Sequence, residues 1–145
     1  ILIVDDHAVL REGVRRLLST IPGAEIFEAS TGHEALTIFR KSQPTVTVLD
    51  VNLNGSSGLE LLQRLKAESK AARIVMFTMH SEPSYAARAI RAGAMGYVSK
   101  SADSDELVAA VKKVAAGENY LDRELASVLA FTPAQSADPF STLSN

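Results

Sequence analysis

Five side chains of the kinds that hold metals and anions each stand at the end of a short apolar run. They are Asp5 and Asp6 after the first run, Asp50 after the second, Thr78 after the third and Lys100 after the fourth. If the runs are neighbouring parallel strands, their carboxyl ends meet at one edge of the sheet, where open α/β folds bind ligands. We therefore expect three carboxylates, a hydroxyl and an ammonium to converge there.

Three carboxylates held close together repel one another unless a cation lies between them. Oxygen ligands favour a hard ion, and Mg²⁺ commonly takes one or two carboxylates, other oxygens and several waters. Asp5, Asp6 and Asp50 would supply the carboxylates, and the backbone carbonyl of Asn52 is well placed in the chain for a further position. The residue types thus predict a Mg²⁺ site.

Asp50 is the expected nucleophile, because Asp5 and Asp6 form an obvious metal-binding pair and Asp50 stands on a separate strand. A carboxylate can attack phosphorus when Mg²⁺ and a lysine withdraw charge from the phosphoryl oxygens, which gives an aspartyl phosphate. Lys100 would pair with one phosphoryl oxygen, and the Thr78 hydroxyl could donate to another. Phosphoryl transfer needs little beyond this positioning and charge neutralisation.

The elements that must hold these residues alternate regularly along the chain. Five apolar runs, at 1–4, 24–29, 46–49, 73–77 and 95–99, are each followed by a segment with helical spacing of apolar residues. Thr31 with Glu34, and Asp103 with Glu106, have the spacing of a capping box, and Pro83 suits the first turn of a helix. This alternation predicts an α/β fold with a five-stranded parallel sheet and helices on both faces.

Composition indicates an ordinary globular domain. The chain has 145 residues, 46% hydrophobic residues, a formal net charge of -2 and no cysteine. No broad basic surface for nucleic acid is expected, and no apolar stretch reaches the roughly 18 residues that span a bilayer. We expect a cytoplasmic protein without membrane contact. Residues 1–117 form the predicted domain, whereas 118–145 is expected to hold a possible extra helix at 122–130 and a linker from 132.

Each of these residues also has an ordinary structural interpretation. A single aspartate at a strand end is more often a cap or turn residue, Thr78 could be a cap, and Lys100 a solvated surface residue. Tyr97 would ordinarily be a half-buried strand aromatic. The three histidines, His7, His33 and His80, lack the spacing of metal ligands, so we expect them to be structural or solvent-facing.

The ordered set of residues resembles the receiver domain of bacterial two-component response regulators, over roughly residues 1–117. The segments 3–7 and 93–100 are most similar to the LuxR/NarL-type subfamily, and residues 140–145 resemble the start of its helix-turn-helix domain. The resemblance implies a flavodoxin-like, doubly wound sheet with strand order 2-1-3-4-5. It also implies that Asp50 is the phosphoacceptor, that Thr78 and Lys100 stabilise the phosphoryl group, and that Thr78 and Tyr97 form the switch.

By the same resemblance, a sensor histidine kinase is the expected phosphodonor, and the domain is a regulatory phosphoacceptor rather than an enzyme. Weak or phosphorylation-dependent homodimers are expected, and DNA would be bound only through a domain absent from this chain, with transcription as the regulated process. Two positions depart from the family pattern. Asn54 and Ser101 stand where many receivers have proline, so a cis peptide bond after Lys100 is not assumed.

Three other classes remain open at this point. A phosphatase of the haloacid-dehalogenase type also forms a phosphoaspartate, but Asn52 replaces the second acid of its Asp-x-Asp pattern. A flavodoxin would need a Ser/Thr-rich phosphate loop where this chain has Asp5 and Asp6. A pseudo-receiver that only binds other proteins is the strongest alternative, and failure to bind Mg²⁺ would favour it.

Overall fold

Strands and helices alternate as the sequence predicts. The computed structural model describes residues 1–50, 52–53, 56–78, 83–100 and 104–121. Its elements are β1 Leu2–Val4, α1 Ala8–Leu18, β2 Phe27–Ala29, α2 Gly32–Ser42, β3 Thr47–Asp50, β4 Asn52–Leu53, β5 Ser56–Ser57, α3 Gly58–Glu68, β6 Ile74–Thr78, α4 Pro83–Arg91, β7 Gly96–Ser99, α5 Ser104–Ala115 and β8 Tyr120–Leu121.

The main sheet is parallel throughout, with strand order β2-β1-β3-β6-β7-β8. Its first five strands reproduce the expected order 2-1-3-4-5. The predicted count of five was one too low, because Tyr120–Leu121 adds a sixth strand beside β7. Two residues are too few to show an alternation of apolar and polar side chains, so no sequence pattern predicts this strand. The separate pair β4 and β5 is a short antiparallel ladder directly after β3.

Two apolar layers enclose the sheet, one on each face. Neighbouring residues of β1 show the division, because Leu2 and Val4 pack with α2, α3 and α4, whereas Ile3 packs with α1 and α5. Successive side chains of a strand point to opposite faces, and both faces of a doubly wound sheet are covered. The nearly continuous apolar strands of the sequence therefore reflect burial on both sides.

Local signals in the sequence set several helix ends. The Thr31 hydroxyl accepts a hydrogen bond from the Glu34 amide at 3.1 Å, and α2 begins immediately after Thr31. The Pro83 prediction is confirmed, since α4 begins at that residue. After α4 the chain turns at Gly93, whose φ of +112° is a conformation that favours glycine.

One predicted boundary was wrong, and others lie outside the described residues. The second strand begins at Phe27 rather than Ala24, because the Ala24 amide closes a turn by donating to the Ile21 carbonyl at 3.1 Å. The predicted cap at Asp103 and the predicted helix and linker after residue 121 fall outside the described part of the chain. No helix within the described residues is both long and apolar enough to cross a membrane.

Candidate phosphoacceptor and metal site

The carboxyl ends of three central strands bring the predicted residues together. Asp5 follows β1, Asp50 is the last residue of β3, and Lys100 follows β7. Asp5 is 3% exposed and Asp50 is 6% exposed, although both are acids. Burial of paired charges at one edge of the sheet is typical of a functional site, because charged residues are otherwise seldom buried.

Lys100 lies between two of the carboxylates. Its Nζ is 3.2 Å from Asp5 Oδ2 and 3.4 Å from Asp50 Oδ2, and its side chain is 6% exposed. The same ammonium lies 5.7 Å from the ring centroid of Phe77, which pairs with Asp50 across β3 and β6. Lys100 is therefore a fixed, buried cation rather than a solvated surface residue.

Backbone and helix contacts hold Asp5 in position. Its Oδ1 accepts a hydrogen bond from the His7 amide at 2.8 Å, and its own amide donates to the Ala29 carbonyl at 3.1 Å. The Arg11 guanidinium of α1 donates to the Asp5 carbonyl at 2.6 Å and to Glu28 Oε1 of the neighbouring strand at 3.0 Å. Asp5 is thus anchored from β1, β2 and α1 at once.

Asp6 presents an unsatisfied oxygen to the cluster. Its Oδ1 is buried and accepts no hydrogen bond from the described residues, although His7 Nδ1 lies 3.0 Å away in an ion-pair contact. Buried polar atoms normally have a partner, and an exception calls for a ligand or a functional reason. An oxygen of this kind among acids fits a hard cation such as Mg²⁺.

The His7 imidazole lies beside the acids, a position that the sequence reasoning did not identify. Its Nδ1 belongs to a group with oxygens of Asp5, Asp6 and Asp50 in which all ligand atoms lie within 4.8 Å of one another. The lack of a second histidine at metal-ligand spacing predicts a structural or solvent-facing residue, and the His7 side chain is indeed 64% exposed. The signal lay instead in adjacency, since His7 directly follows the acid pair.

Thr78 is the last residue of β6, and Tyr97 lies within β7. Thr78 is buried, and its carbonyl accepts a hydrogen bond from the Lys100 amide at 2.6 Å. The Tyr97 side chain is fully buried in the layer formed with α2, α3 and α4. The ordinary expectation of a half-buried strand aromatic is therefore wrong for this residue. Of the loop positions, Asn54 and Ser101 lie outside the described residues.

Fold and site together define a response regulator receiver domain, and the comparisons agree. The family model described as "Response regulator receiver domain" matches residues 1–112, and the chain belongs to this family. It is 34% identical to the response regulator UvrY of Escherichia coli K12 over 99% of this chain and 68% of that protein. It is 35% identical to the response regulator GacA of Pseudomonas aeruginosa over 99% of this chain and 69% of that protein.

A solved structure supports the subfamily that the sequence indicates. A LuxR-family two-component response regulator from Aurantimonas superposes with a TM-score of 0.86 and 40% identity, covering 89% of this chain and 93% of that one. The chain is thus a receiver domain similar to those of NarL/LuxR-type regulators, which act in two-component systems.

Proposed function

We propose that this receiver accepts a phosphoryl group on Asp50 from a phosphohistidine of a sensor kinase, with Mg²⁺ as cofactor. The observation that carries the proposal is the position of the Lys100 ammonium between two buried carboxylates. Its Nζ lies 3.2 Å from Asp5 Oδ2 and 3.4 Å from Asp50 Oδ2. Asp5, Asp6 and Asp50, with the Asn52 carbonyl, would hold the ion. When bound, Mg²⁺ would neutralise charge on the phosphoryl oxygens.

The chemistry assigned to the chain is a single displacement. An Asp50 carboxylate oxygen attacks phosphorus, the bond from phosphorus to the histidine nitrogen breaks, and the bonding electron pair returns to the imidazole. Lys100 already contacts Asp50 Oδ2, so its ammonium is placed to pair with an oxygen of the incoming group. Thr78, at the neighbouring strand end, would supply its hydroxyl to another oxygen.

The phosphoryl group would change the switch residues rather than the sheet. Thr78 and Lys100 are already joined through the backbone by the 2.6 Å hydrogen bond from the Lys100 amide, so movement at one affects the other. Tyr97 is inward and fully buried, which is the position that we associate with the phosphorylated state. A bias of a few kcal/mol between two arrangements of α4, β7 and α5 suffices for such a switch.

The wider proposal follows from the same reaction. The domain is a regulatory phosphoacceptor that acts in the cytoplasm rather than an enzyme that turns over a free substrate. Phosphorylation would strengthen a weak homodimer and, through a DNA-binding domain outside this chain, regulate transcription. Self-association measured with and without beryllofluoride tests the homodimer directly.

Labelling by a small phosphodonor tests the assignment. Acetyl phosphate with Mg²⁺ should add one phosphoryl group to the wild-type chain by mass spectrometry, and Asp50→Asn should abolish the addition. Asp105→Asn is the matched control, since Asp105 is an exposed acid in the first turn of α5 and should leave labelling intact. Labelling of Asp50→Asn at another aspartate rejects the assignment, and an unlabelled wild type that also fails to bind Mg²⁺ favours a pseudo-receiver.

A further inference from the structure

The imidazole of His7 adds a nitrogen to a site otherwise made of oxygens. We propose that His7 Nδ1 is a fourth side-chain ligand, and that with Asp5, Asp6 and Asp50 it binds a borderline divalent ion such as Zn²⁺ in competition with Mg²⁺. The inference rests on the metal site of the proposed function and deepens it by naming a second class of ion for that site.

Distances between ligand atoms support coordination. His7 Nδ1 lies 3.0 Å from Asp6 Oδ1 and 3.4 Å from Asp5 Oδ1. With metal–ligand bonds of about 2.0 to 2.1 Å, neighbouring ligands of a tetrahedral zinc site are about 3.3 Å apart, and those of an octahedral site about 3.0 Å apart. Both observed separations fall close to these edges, so an ion can contact these three atoms with little rearrangement, and a carboxylate oxygen of Asp50 lies within 4.8 Å of the His7 nitrogen and of oxygens of Asp5 and Asp6.

The backbone fixes the imidazole where a ligand is needed. His7 is the N-cap residue of α1, its amide donates to Asp5 Oδ1 at 2.8 Å, and its carbonyl accepts from the Arg11 amide at 2.9 Å. Its side chain is 64% exposed, so a hydrated ion can reach Nδ1 without displacing packed residues. The unsatisfied Asp6 Oδ1 lies next to it and would gain a partner from the same ion.

Ligand chemistry then determines which ion benefits. Imidazole is a favourable ligand for Zn²⁺, whereas Mg²⁺ prefers carboxylates, carbonyls and water. Three carboxylates and one imidazole provide the four ligands of a tetrahedral zinc site, whereas Mg²⁺ would gain nothing from the nitrogen. His7 should therefore raise the affinity of the site for Zn²⁺ and leave its affinity for Mg²⁺ nearly unchanged.

Calorimetric titration of the full chain with Zn²⁺ and, separately, with Mg²⁺ tests this selectivity. His7→Ala should weaken Zn²⁺ binding by about tenfold or more and change Mg²⁺ binding less than about twofold. His7→Asn, which keeps a residue suited to a helix N-cap, should behave in the same way and guards against a folding defect. His33→Ala, at an exposed histidine on α2, is the control and should change neither affinity.

Nitrogen-15 NMR supplies a readout that does not depend on phosphorylation. Zn²⁺ should shift the His7 Nδ1 resonance, and Mg²⁺ should not. Equal losses of both affinities in His7→Ala, tighter Mg²⁺ binding in that variant, or an unshifted Nδ1 with Zn²⁺ bound would each overturn the proposal. If zinc binding behaves as expected but acetyl phosphate never labels Asp50, the phosphoacceptor assignment fails while this inference stands.

Discussion

Asp50 lies in a cluster of like charges, which should lower the stability of the fold. It is buried with two other acids nearby, and Lys100 contributes one positive charge against three negative ones. Asp50→Asn removes one charge from this repulsive group, so we expect the free energy of unfolding in EDTA to rise by about 1 kcal/mol. Urea unfolding followed by circular dichroism measures the change.

The gain should shrink when Mg²⁺ is present, because the wild-type site then contains its counter-ion. Asp105→Asn serves as the control and should be neutral or slightly destabilising, since an acid in the first turn of α5 interacts favourably with the helix N-terminus. A loss of stability in Asp50→Asn under EDTA would show that its contact with Lys100 outweighs the repulsion.

Sequence reasoning identified the acids and the lysine because each ends an apolar run, and parallel strands place such ends together. It did not place His7 beside the acids, because the chain has no second histidine at the spacing of metal ligands. It also could not determine that Tyr97 is buried, since a strand aromatic can occupy either position. Burial of a single side chain depends on which helices cover the sheet, and that information is distributed over the whole chain.

At the scale of elements, the start of α2 gives a pH-dependent prediction. The Glu34 carboxylate accepts hydrogen bonds from the Ser30 amide at 2.7 Å and the Ser30 hydroxyl at 3.0 Å. The backbone hydrogen bond, and then the hydroxyl, lower the pKa of Glu34 from its ordinary value of 4.5. A carboxylate whose pKa is lower in the folded than in the unfolded protein stabilises the fold at any pH above its unfolded-state pKa. This stabilisation is lost as the pH falls through its folded-state pKa.

Because Glu34 is exposed to solvent, Glu34→Ala should lower the free energy of unfolding by no more than about 1 kcal/mol near neutral pH, and the difference from wild type should close at pH values well below 4.5. Urea unfolding at both pH values measures it. Glu12→Ala provides a comparison, because its exposed pair with Arg16 within α1 should contribute only a few tenths of a kcal/mol. A Glu34→Ala deficit that persists undiminished in acid would contradict the assigned role of the carboxylate.

The sixth strand is held to the domain by a side-chain contact. The Tyr120 hydroxyl donates to Glu106 Oε1 of α5 at 2.6 Å, and the Tyr120 amide donates to the Met95 carbonyl at 2.8 Å. Tyr120→Phe should cost about 1 kcal/mol of unfolding free energy and speed amide hydrogen exchange at Tyr120 and Leu121. The global loss alone would speed exchange at β1 by at most about fivefold, so equal acceleration at β1 and at β8 would indicate a global rather than a local effect.

Most elements were predictable because their signals are local, such as the Thr31 and Glu34 spacing or the proline that begins α4. The strand Tyr120–Leu121 was not, because its existence depends on pairing with β7 rather than on its own sequence. The late start of β2 has a similar cause, since a turn at Ala24 competes with strand pairing over the same residues.

For the whole molecule, an ion that binds only the folded state stabilises it by mass action. At ten times the dissociation constant of Mg²⁺, unfolding should require about 1.4 kcal/mol more free energy. A thermal melt across a MgCl₂ series should show the shift. Asp6→Asn should reduce it strongly, whereas KCl at equal ionic strength should not reproduce it. An equal shift with KCl would indicate general screening instead of a specific ion.

The pairing of Tyr97 with Leu121 also covers a hydrogen-bonding edge. A chain shortened to Gly117 would keep the five helices of the described residues and lose β8, which leaves the outer backbone edge of β7 open to water. Unprotected strand edges recruit other strands, so such a fragment should self-associate through its sheet. Dimers of that fragment would then reflect pairing of the exposed β7 edges. Measurements of self-association should therefore retain the residues through Leu121.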